Sequence, residues 1–366
     1  MRPDRVGGRF FVPGPTAVRP AILRAMSQPM IAHRSPEMRL LLARIYAALP
    51  QLFGTAQPVY VASGAATGMM ESAIRCGTRQ RVLSLVAGDF GERFARIAEA
   101  CGRSVTRLVA PLGDTVSAAE LSDALEHGAY DAVTAVHVET STGAMSDVAS
   151  YGRVLEGRDD VLLLVDAVSS VGGIEVEMDD ARMDIVFSAS QKALALPPGL
   201  SFISCSARAM ARARELPDRG MYLDVVRMDE YWRKGGTAGT PAIPQLFALD
   251  AQLEAMAIEG LATRFARHRA MAAAVHGWAA DAAARGFEVG LLAREAVRAP
   301  TVSCVTIEGD AERLASLLRE RGFEVGAGYG ALVARTIRIG HMGDHTVREV
   351  RALLGALDEA LLELAT

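Results

Sequence analysis

The sequence predicts an α/β fold in which a large domain, built on a mostly parallel β-sheet covered by helices, is followed by a smaller C-terminal α/β domain. Short, almost entirely apolar runs alternate with helical patterns between residues 58 and 205, as expected for strands buried on both faces. The pattern changes after residue 236, where long helical stretches precede a second series of strands and helices. We therefore predict an N-terminal arm and large domain over residues 1–250 and the smaller domain over residues 251–366.

The composition is that of an ordinary soluble globular protein, because half of the 366 residues are apolar and 22% are charged. A net charge of −4 gives no reason to expect binding to nucleic acid or to an anionic membrane. The first residues lack an apolar signal core, and no apolar run reaches the ~18 residues of a membrane span. The four cysteines are widely spaced without a C-x-x-C pair, which favours buried, reduced thiols and a cytoplasmic location.

An arm and two helical stretches precede the first strand of the large domain. Residues 10–16 are expected to be extended, because two prolines flank the glycine of this segment. A short helix is predicted over residues 20–30. Ser35 suits the N-cap of a second helix and Pro36 its first position, and this helix is predicted to run to about Phe53.

Strands and helices then alternate along the large domain. Helices are predicted over residues 68–75 and 92–101, and strands are predicted near residues 59–62, 81–86, 104–110, 131–138, 161–166, 184–188 and 200–205. In sheets of this kind, ligands bind beyond the carboxyl ends of the strands. The candidate site residues lie there, in Ser63–Thr67, Asp89-Phe90, Glu139–Thr142, Asp166 and Lys192.

The smaller domain is predicted to follow two long helices over residues 242–258 and 260–286. Its strands are expected at residues 301–307, 323–325 and 334–339, and its helices at residues 310–321 and 346–364. Together these elements predict a second, smaller α/β unit.

Lys192 is the first candidate catalytic residue. It follows the apolar run Ile185-Val-Phe and stands between Ser188-Ala-Ser and Pro197-Pro-Gly. Lys192 and Lys234 are the only lysines among 39 basic residues. Unlike arginine, lysine can form a Schiff base once its site lowers the pKa of its amine. The alternative is a surface lysine in a loop.

Asp166 and Phe90 are further candidates. Asp166 ends an entirely apolar strand, where a charge is costly unless it is paired. It could be a helix cap or part of a buried salt bridge, or it could pair with the protonated ring nitrogen of pyridoxal phosphate. Phe90 lies between two glycines and could either cap the core or stack on a planar heterocycle.

The segment Ser63-Gly-Ala-Ala-Thr67 joins a strand to the start of a helix. Small residues there let phosphate oxygens approach backbone N–H groups, and the helix dipole favours an anion. The same residues would also suit close packing of the helix on the strand, so both interpretations stay open. No Gly-Lys-Ser/Thr follows, so the segment is not a Walker loop.

Several motifs, in order and over about residues 10 to 345, resemble those of the class V, fold-type I pyridoxal-phosphate aminotransferases. Within that class the chain is similar to the alanine–glyoxylate and serine–glyoxylate (serine–pyruvate) aminotransferase family. The motifs are Pro13-Gly-Pro-Thr, His33-Arg-Ser-Pro-Glu, Ser63-Gly, Gly88-x-Phe-Gly-x-Arg93, His137-Val-Glu-Thr-Ser-Thr-Gly143, Val165-Asp-Ala-Val-Ser-Ser170, Ser190-Gln-Lys-Ala-Leu194, Pro197-Pro-Gly199, Tyr222-Leu-Asp224, Thr240-Pro241 and Arg338-Ile-Gly-His-Met-Gly343.

The resemblance implies roles for residues at the matching positions. Lys192 would carry the cofactor, and Asp166 would pair with its ring nitrogen. The other implied cofactor contacts are Val168 and Phe90 on the two ring faces, Thr140 at the phenolic oxygen, and Ala65, Ala66, Thr67 and Gln191 at the phosphate.

The resemblance also implies a homodimer with shared active sites. Thr240, together with Thr237, would reach the phosphate held by the neighbouring subunit. Arg338 would grip the substrate carboxylate, a role that suits the planar guanidinium, although it could instead be a structural residue of a strand. The implied reaction transfers an amino group from alanine or serine to glyoxylate or pyruvate by a ping-pong mechanism.

Two other kinds of function remain open. A second class V activity, such as 2-aminoethylphosphonate–pyruvate transamination or cysteine desulfuration, would use the same cofactor, but a desulfurase needs an exposed cysteine of low pKa and Cys304 lies in a predicted buried strand. A non-catalytic, cofactor-binding regulatory protein is the alternative of another class. No metal site is predicted, because no carboxylate or cysteine cluster accompanies His341 and His345.

Overall fold

A computed structural model describes residues 9–364. Residues 1–8 of the predicted large domain and residues 365–366 of the predicted smaller domain lie outside this range. The predicted lack of a signal core concerns the first of these residues. No helix within the described range is long and apolar enough to span a lipid bilayer.

The helices of the described range largely follow the predicted alternation with strands. In chain order they are α1 (Pro20–Ala25), α2 (Pro36–Ala48), α3 (Pro50–Phe53), α4 (Ala66–Gly77), α5 (Asp89–Ala100), α6 (Ala118–His127), α7 (Val148–Val154), α8 (Ala207–Glu215), α9 (Val225–Trp232), α10 (Ile243–Glu259), α11 (Leu261–Ala284), α12 (Ala311–Glu320) and α13 (Val347–Leu364).

The strands largely occupy the predicted apolar runs, and short strands are added in the N-terminal arm and between the longer elements. In chain order they are β1 (Phe10–Phe11), β2 (Val59–Ser63), β3 (Arg81–Val86), β4 (Ser104–Val109), β5 (Ala132–Val136), β6 (Val138–Glu139), β7 (Ala144–Met145), β8 (Leu162–Asp166), β9 (Ile185–Ala189), β10 (Leu200–Cys205), β11 (Val289–Leu291), β12 (Val302–Ile307), β13 (Glu324–Ala327) and β14 (Thr336–Gly340).

The large sheet has the order β2-β10-β9-β8-β5-β3-β4 within the described residues. Strands β4, β3, β5, β8 and β9 pair in parallel, whereas β10 runs antiparallel to both of its neighbours. The central strands are buried along their whole length, as β8 illustrates. The predicted fold class, an α/β protein with a mostly parallel sheet, is therefore confirmed.

The predicted helix over residues 36–53 is interrupted at Leu49, where the chain passes from α2 to α3. Pro50 explains the break, because it lacks an N–H and its ring crowds the preceding turn. The start of α2 is as predicted: Ser35 is its N-cap and accepts a hydrogen bond from the backbone N–H of Met38 at 3.3 Å.

A second sheet, of order β1-β13-β14-β12-β11, forms the centre of the smaller unit. Its edge strand β1 comes from the N-terminal arm, and Phe11 is buried in the second hydrophobic core. The part of helix α10 that follows residue 250 still packs into the core of the large sheet, through Leu253 and Met256. The division at residue 250 remains a proposal, and these contacts favour placing the boundary near Gly260 and counting the arm strand with the smaller sheet.

Candidate active site

A cavity with about 490 Å³ of empty space lies at the carboxyl ends of the central strands. Nine of the ten residues predicted to contact the cofactor line it, namely Ala65, Ala66, Thr67, Phe90, Thr140, Asp166, Val168, Gln191 and Lys192. The fold thus brings together residues that are distant in the chain.

Lys192 is buried in this cavity, with only 8% of its surface exposed. Its Nζ donates a hydrogen bond to the backbone oxygen of Pro13 and lies 5.9 Å from the ring centre of Phe90. Burial, helped by the nearby positive charge of Arg338, lowers the pKa of Lys192 to about 8. A surface lysine is therefore excluded, and a substantial fraction of this amine is neutral near pH 8.

The N-terminal arm holds the loop that carries Lys192. The backbone N–H of Thr16 donates to the carbonyl of Gln191 at 3.0 Å, and the Thr16 hydroxyl donates to the carbonyl of Lys192 at 2.9 Å. Gly14, with φ of +125°, passes directly over the lysine side chain. The Pro13-Gly-Pro-Thr motif is thus in direct contact with Lys192 and its loop, a role that sequence reasoning did not assign to it.

Asp166 ends β8 and is 4% exposed. Its Oδ1 accepts a hydrogen bond from the backbone N–H of Val168 at 2.8 Å. Burial raises the pKa of Asp166 to about 7, against the opposing effects of that hydrogen bond and of the charge on Lys192. Within residues 9–364 no basic group forms an ion pair with it, so the carboxylate is available to a cationic group in the cavity.

The phosphate-binding prediction falls on the start of α4. Ala65 is the N-cap of this helix and provides no side-chain hydrogen bond to its first turn. Gly64, with φ of +153°, leads the chain from β2 into the cap. Free N–H groups at a helix start favour an anion, and Thr67 adds a hydroxyl. The segment therefore fits a phosphate group.

Phe90 and Thr140 complete the predicted contacts. The helix predicted to begin at residue 92 begins earlier: α5 starts at Asp89, so Phe90 lies in its first turn. The charges of Asp89 and Glu92 favour this helix start, because they complement the helix dipole. The hydroxyl of Thr140 is 2.7 Å from that of Ser169, in the buried wall of the cavity.

Arg338 reaches the edge of the site from the smaller sheet. Because side chains alternate along a strand, Ile337 and Ile339 are fully buried and Arg338 points to the other face. Its Nε donates to the carbonyl of Ala327 at 2.8 Å, and its Nη1 is 3.4 Å from the carbonyl oxygen of Thr140. The guanidinium is therefore next to the cavity although it does not line it.

Thr240 is the one predicted cofactor contact that does not reach the cavity within a single chain. It is exposed and lines a separate groove with Thr237, Ser63 and Tyr222. A single chain does not test the predicted role of Thr240, which is to contact the phosphate held by a neighbouring subunit.

Sequence reasoning missed five residues that line the cavity, namely Met70, Arg93, Val136, Val138 and Ser169. Arg93, Val138 and Ser169 lie within motifs quoted above, so motif membership alone could have found them. Arg93 donates a hydrogen bond to the hydroxyl of Tyr329 at 2.7 Å, and that tyrosine is also in contact with Arg338.

Cys304 has the surroundings that its sequence predicted. It is 1% exposed in β12, and burial raises the pKa of its thiol to about 11. Cys76, Cys101 and Cys205 are also buried and free. A thiol of this kind lacks the exposure and low pKa that desulfuration requires.

The chain matches known proteins over most of its length. The family model described as aminotransferase class-V matches residues 90–353. An uncharacterized aminotransferase of Methanocaldococcus jannaschii is 36% identical over 100% of this chain and 95% of that protein. A Synechococcus protein named soluble hydrogenase, small subunit, is 31% identical over 97% of this chain and 93% of that protein.

A solved structure has the same overall architecture. The alanine–glyoxylate aminotransferase of Nostoc superimposes with a TM-score of 0.90 at 32% identity, covering 99% of this chain and 97% of that one. The similarity therefore includes the arm, the large sheet and the smaller sheet together.

Proposed function

The chain belongs to the class-V aminotransferase family, and we propose that it transfers an amino group from alanine or serine to glyoxylate or pyruvate. As a member of this family it is a transaminase that depends on pyridoxal phosphate. The solved Nostoc relative, which is named for alanine and glyoxylate, supports the choice of substrates. The chemistry supplied by the bound cofactor is that of an electron sink, which lets a Cα–H bond of an amino acid ionise.

The observation that carries the proposal is the convergence of Lys192 and Asp166 in one cavity. We propose that Lys192 holds the cofactor covalently and that Asp166 pairs with its ring nitrogen, because Asp166 is a buried carboxylate without a cationic partner in the described range. Phe90 and Val168 would contact the ring faces, and Thr140 the phenolic oxygen. The phosphate would be held by the start of α4 through Ala65, Ala66 and Thr67, with Gln191 beside it.

Lys192 would also move the proton during the reaction. An amine whose pKa has fallen to about 8 can accept a proton from the substrate Cα and return it nearby. The burial that lowers this pKa also keeps bulk water away from the same atoms. One residue can therefore serve as base and then as acid in each half of the reaction.

Arg338 would bind the substrate carboxylate at the edge of the cavity. Its hydrogen bonds to Ala327 and Thr140 use backbone carbonyls, so no carboxylate of the described chain neutralises its charge. A planar guanidinium binds a carboxylate through two parallel hydrogen bonds and so fixes the orientation of Cα. In this scheme the first oxo acid leaves before the second binds, so ping-pong kinetics are expected.

The assembly and location are also proposals. Thr240 is exposed and Thr237 is half-buried, and both lie beside the end of β2 but outside the cavity. Their position favours a homodimer in which they complete the partner's site. Sedimentation of the active enzyme tests this, and a fully active monomer would refute it. Four buried free thiols support a cytoplasmic location.

A panel of amino donors tests the proposed substrates. Each donor is mixed with the purified enzyme loaded with pyridoxal phosphate, and the fall of the cofactor absorbance band is followed without any oxo acid. Alanine or serine should react fastest, and glyoxylate or pyruvate should then restore the band. A fast reaction only with 2-aminoethylphosphonate would replace the substrate proposal, and no reaction with any donor would favour a regulatory cofactor-binding protein. The residues that line the cavity give no reason to propose the hydrogenase activity named for the Synechococcus relative.

A further inference from the structure

A second buried carboxylate, that of Glu139, lies just behind the cavity. Its side chain is 0% exposed. Oε2 accepts hydrogen bonds from the backbone N–H groups of Phe90 and Gly91, both at 3.1 Å. Oε1 accepts from the backbone N–H of Ser141 at 3.0 Å and from its hydroxyl at 2.5 Å. Four donors therefore surround one carboxylate, and none of them comes from a basic side chain.

These contacts cap helix α5 from a different part of the chain. The N-cap residue, Gly88, has no side chain with which to do so. A Cβ atom at Gly88 would lie 2.4 Å from the Ser141 hydroxyl oxygen and 2.7 Å from Cγ of Glu139. The Ser141 oxygen also accepts from the backbone N–H of Asp89 at 3.1 Å. Glycine at this position is what allows the 139–141 segment to bind the first three N–H groups of α5.

The capped groups carry two cavity residues. Phe90 belongs to the first turn of α5, and Thr140 stands between Glu139 and Ser141 in the chain. We propose that Glu139 is a positioning residue that fixes Phe90 and Thr140 relative to each other, and so shapes the cavity for the cofactor ring. This inference rests on the cofactor contacts proposed above for these two residues, and it does not depend on which amino acid is the substrate.

The chemistry of the contact favours the ionised carboxylate. Burial raises the pKa of Glu139, while its hydrogen bonds act against that rise. The positive end of the α5 dipole also favours an anion at this place. An amide could not replace the carboxylate. In one orientation its NH₂ group would face the N–H groups of Phe90 and Gly91, and in the other it would face the N–H of Ser141.

The test compares Glu139→Gln with Glu120→Gln. Glu120 is the matched control, because it also caps a helix: together with Ser117 it forms the capping box of α6, on the exposed surface. The measurements are the dissociation constant of pyridoxal phosphate, the visible circular dichroism of the bound cofactor and the melting temperature. Cofactor affinity should fall about ten- to a hundredfold in Glu139→Gln, because Phe90 and Thr140 would no longer be held in the arrangement that binds the ring, and the dichroism should change. Glu120→Gln should lose stability with both cofactor signals unchanged.

Wild-type affinity and dichroism in Glu139→Gln would overturn the proposal, even if the variant is less stable. Should that variant not fold, Ser141→Ala removes only the hydroxyl contacts, and a smaller shift of both cofactor signals is expected; unchanged signals in this variant would overturn the proposal as well. If alanine and serine are not the amino donors, the donor panel will show it while these cofactor measurements stay unchanged. An error in the substrate proposal can therefore be told apart from an error in the role proposed for Glu139.

Discussion

Gly14 lies so close to Lys192 that a Cβ atom added to the glycine would be 2.6 Å from the lysine Nζ. The same atom would be 2.6 Å from Cδ and Cε of that side chain. The φ angle of Gly14, +125°, is also one that other residues rarely adopt. The arm therefore leaves room for the lysine only because it carries glycine at this point.

We predict that Gly14→Ala impairs the uptake of pyridoxal phosphate by the apoprotein, slowing it at least about tenfold, because Lys192 must move away from its present position. Uptake is measured from the growth of the cofactor absorbance band after mixing. Gly102→Ala is the control, since Gly102 also has a positive φ, +78°, but a Cβ there would meet nothing within 4 Å. Equal uptake by the two variants would contradict a role for the contact between Gly14 and Lys192 in admitting the cofactor.

Uptake of the cofactor should also depend on pH through Lys192. Its pKa is lowered to about 8, and only the neutral amine is a nucleophile. The uptake rate is therefore expected to rise as the pH increases through about 8 and to level off above it. In Arg338→Ala the midpoint should move to higher pH, because the charge of Arg338 helps to lower the pKa of Lys192. A midpoint near the ordinary lysine value in the unaltered protein would contradict the buried placement of this amine.

Asp166→Asn should bind pyridoxal phosphate yet lose several orders of magnitude in the rate of proton removal from the substrate Cα, because a neutral amide does not keep the ring nitrogen protonated. Stopped-flow mixing with deuterated and ordinary alanine measures that step directly. The melting temperature serves as the check on folding, since Asp166 also accepts the N–H of Val168. Near-normal proton transfer in this variant would assign the buried carboxylate a structural role.

Much of the fold and the site was predictable because strands and their ends are local features of the sequence. The apolar run ending at Asp166 and the run ahead of Lys192 gave strands β8 and β9, and parallel pairing brings their carboxyl ends together. Helix α6 was missed, although the capping box of Ser117 and Glu120 is a readable signal.

Contacts between distant segments could not be predicted in the same way. The hydrogen bond between Lys192 and Pro13 joins residues 179 positions apart. It depends on the pairing of the arm strand β1 with β13, which nothing in the local pattern of Phe10-Phe11 indicates. The start of α5 was misplaced for a similar reason. The carboxylate that accepts hydrogen bonds from its first turn belongs to Glu139, which is distant in the chain.

Arg338→Ala is predicted to retain the bound cofactor spectrum but to lower kcat/KM for alanine by roughly two to four orders of magnitude, the effect expected for a lost bidentate, charge-assisted pair. Arg338→Lys should recover only part of this loss, because one ammonium cannot reproduce the planar fork. An amine without a carboxylate should react equally poorly with all three proteins. An unchanged kcat/KM for alanine in Arg338→Ala would mean that the carboxylate binds elsewhere.

Borohydride reduction shows whether Lys192 forms the covalent bond to pyridoxal phosphate. Reduction makes the bond permanent, and mass spectrometry of the digested protein then locates the modified lysine. Because Lys192 and Lys234 are the only lysines in the chain, the result has few possible outcomes. Modification of the peptide containing Lys192, in a protein whose cofactor band has been lost, is the expected result. Modification at Lys234 instead, or no modified lysine at all, would mean that Lys192 does not carry the cofactor.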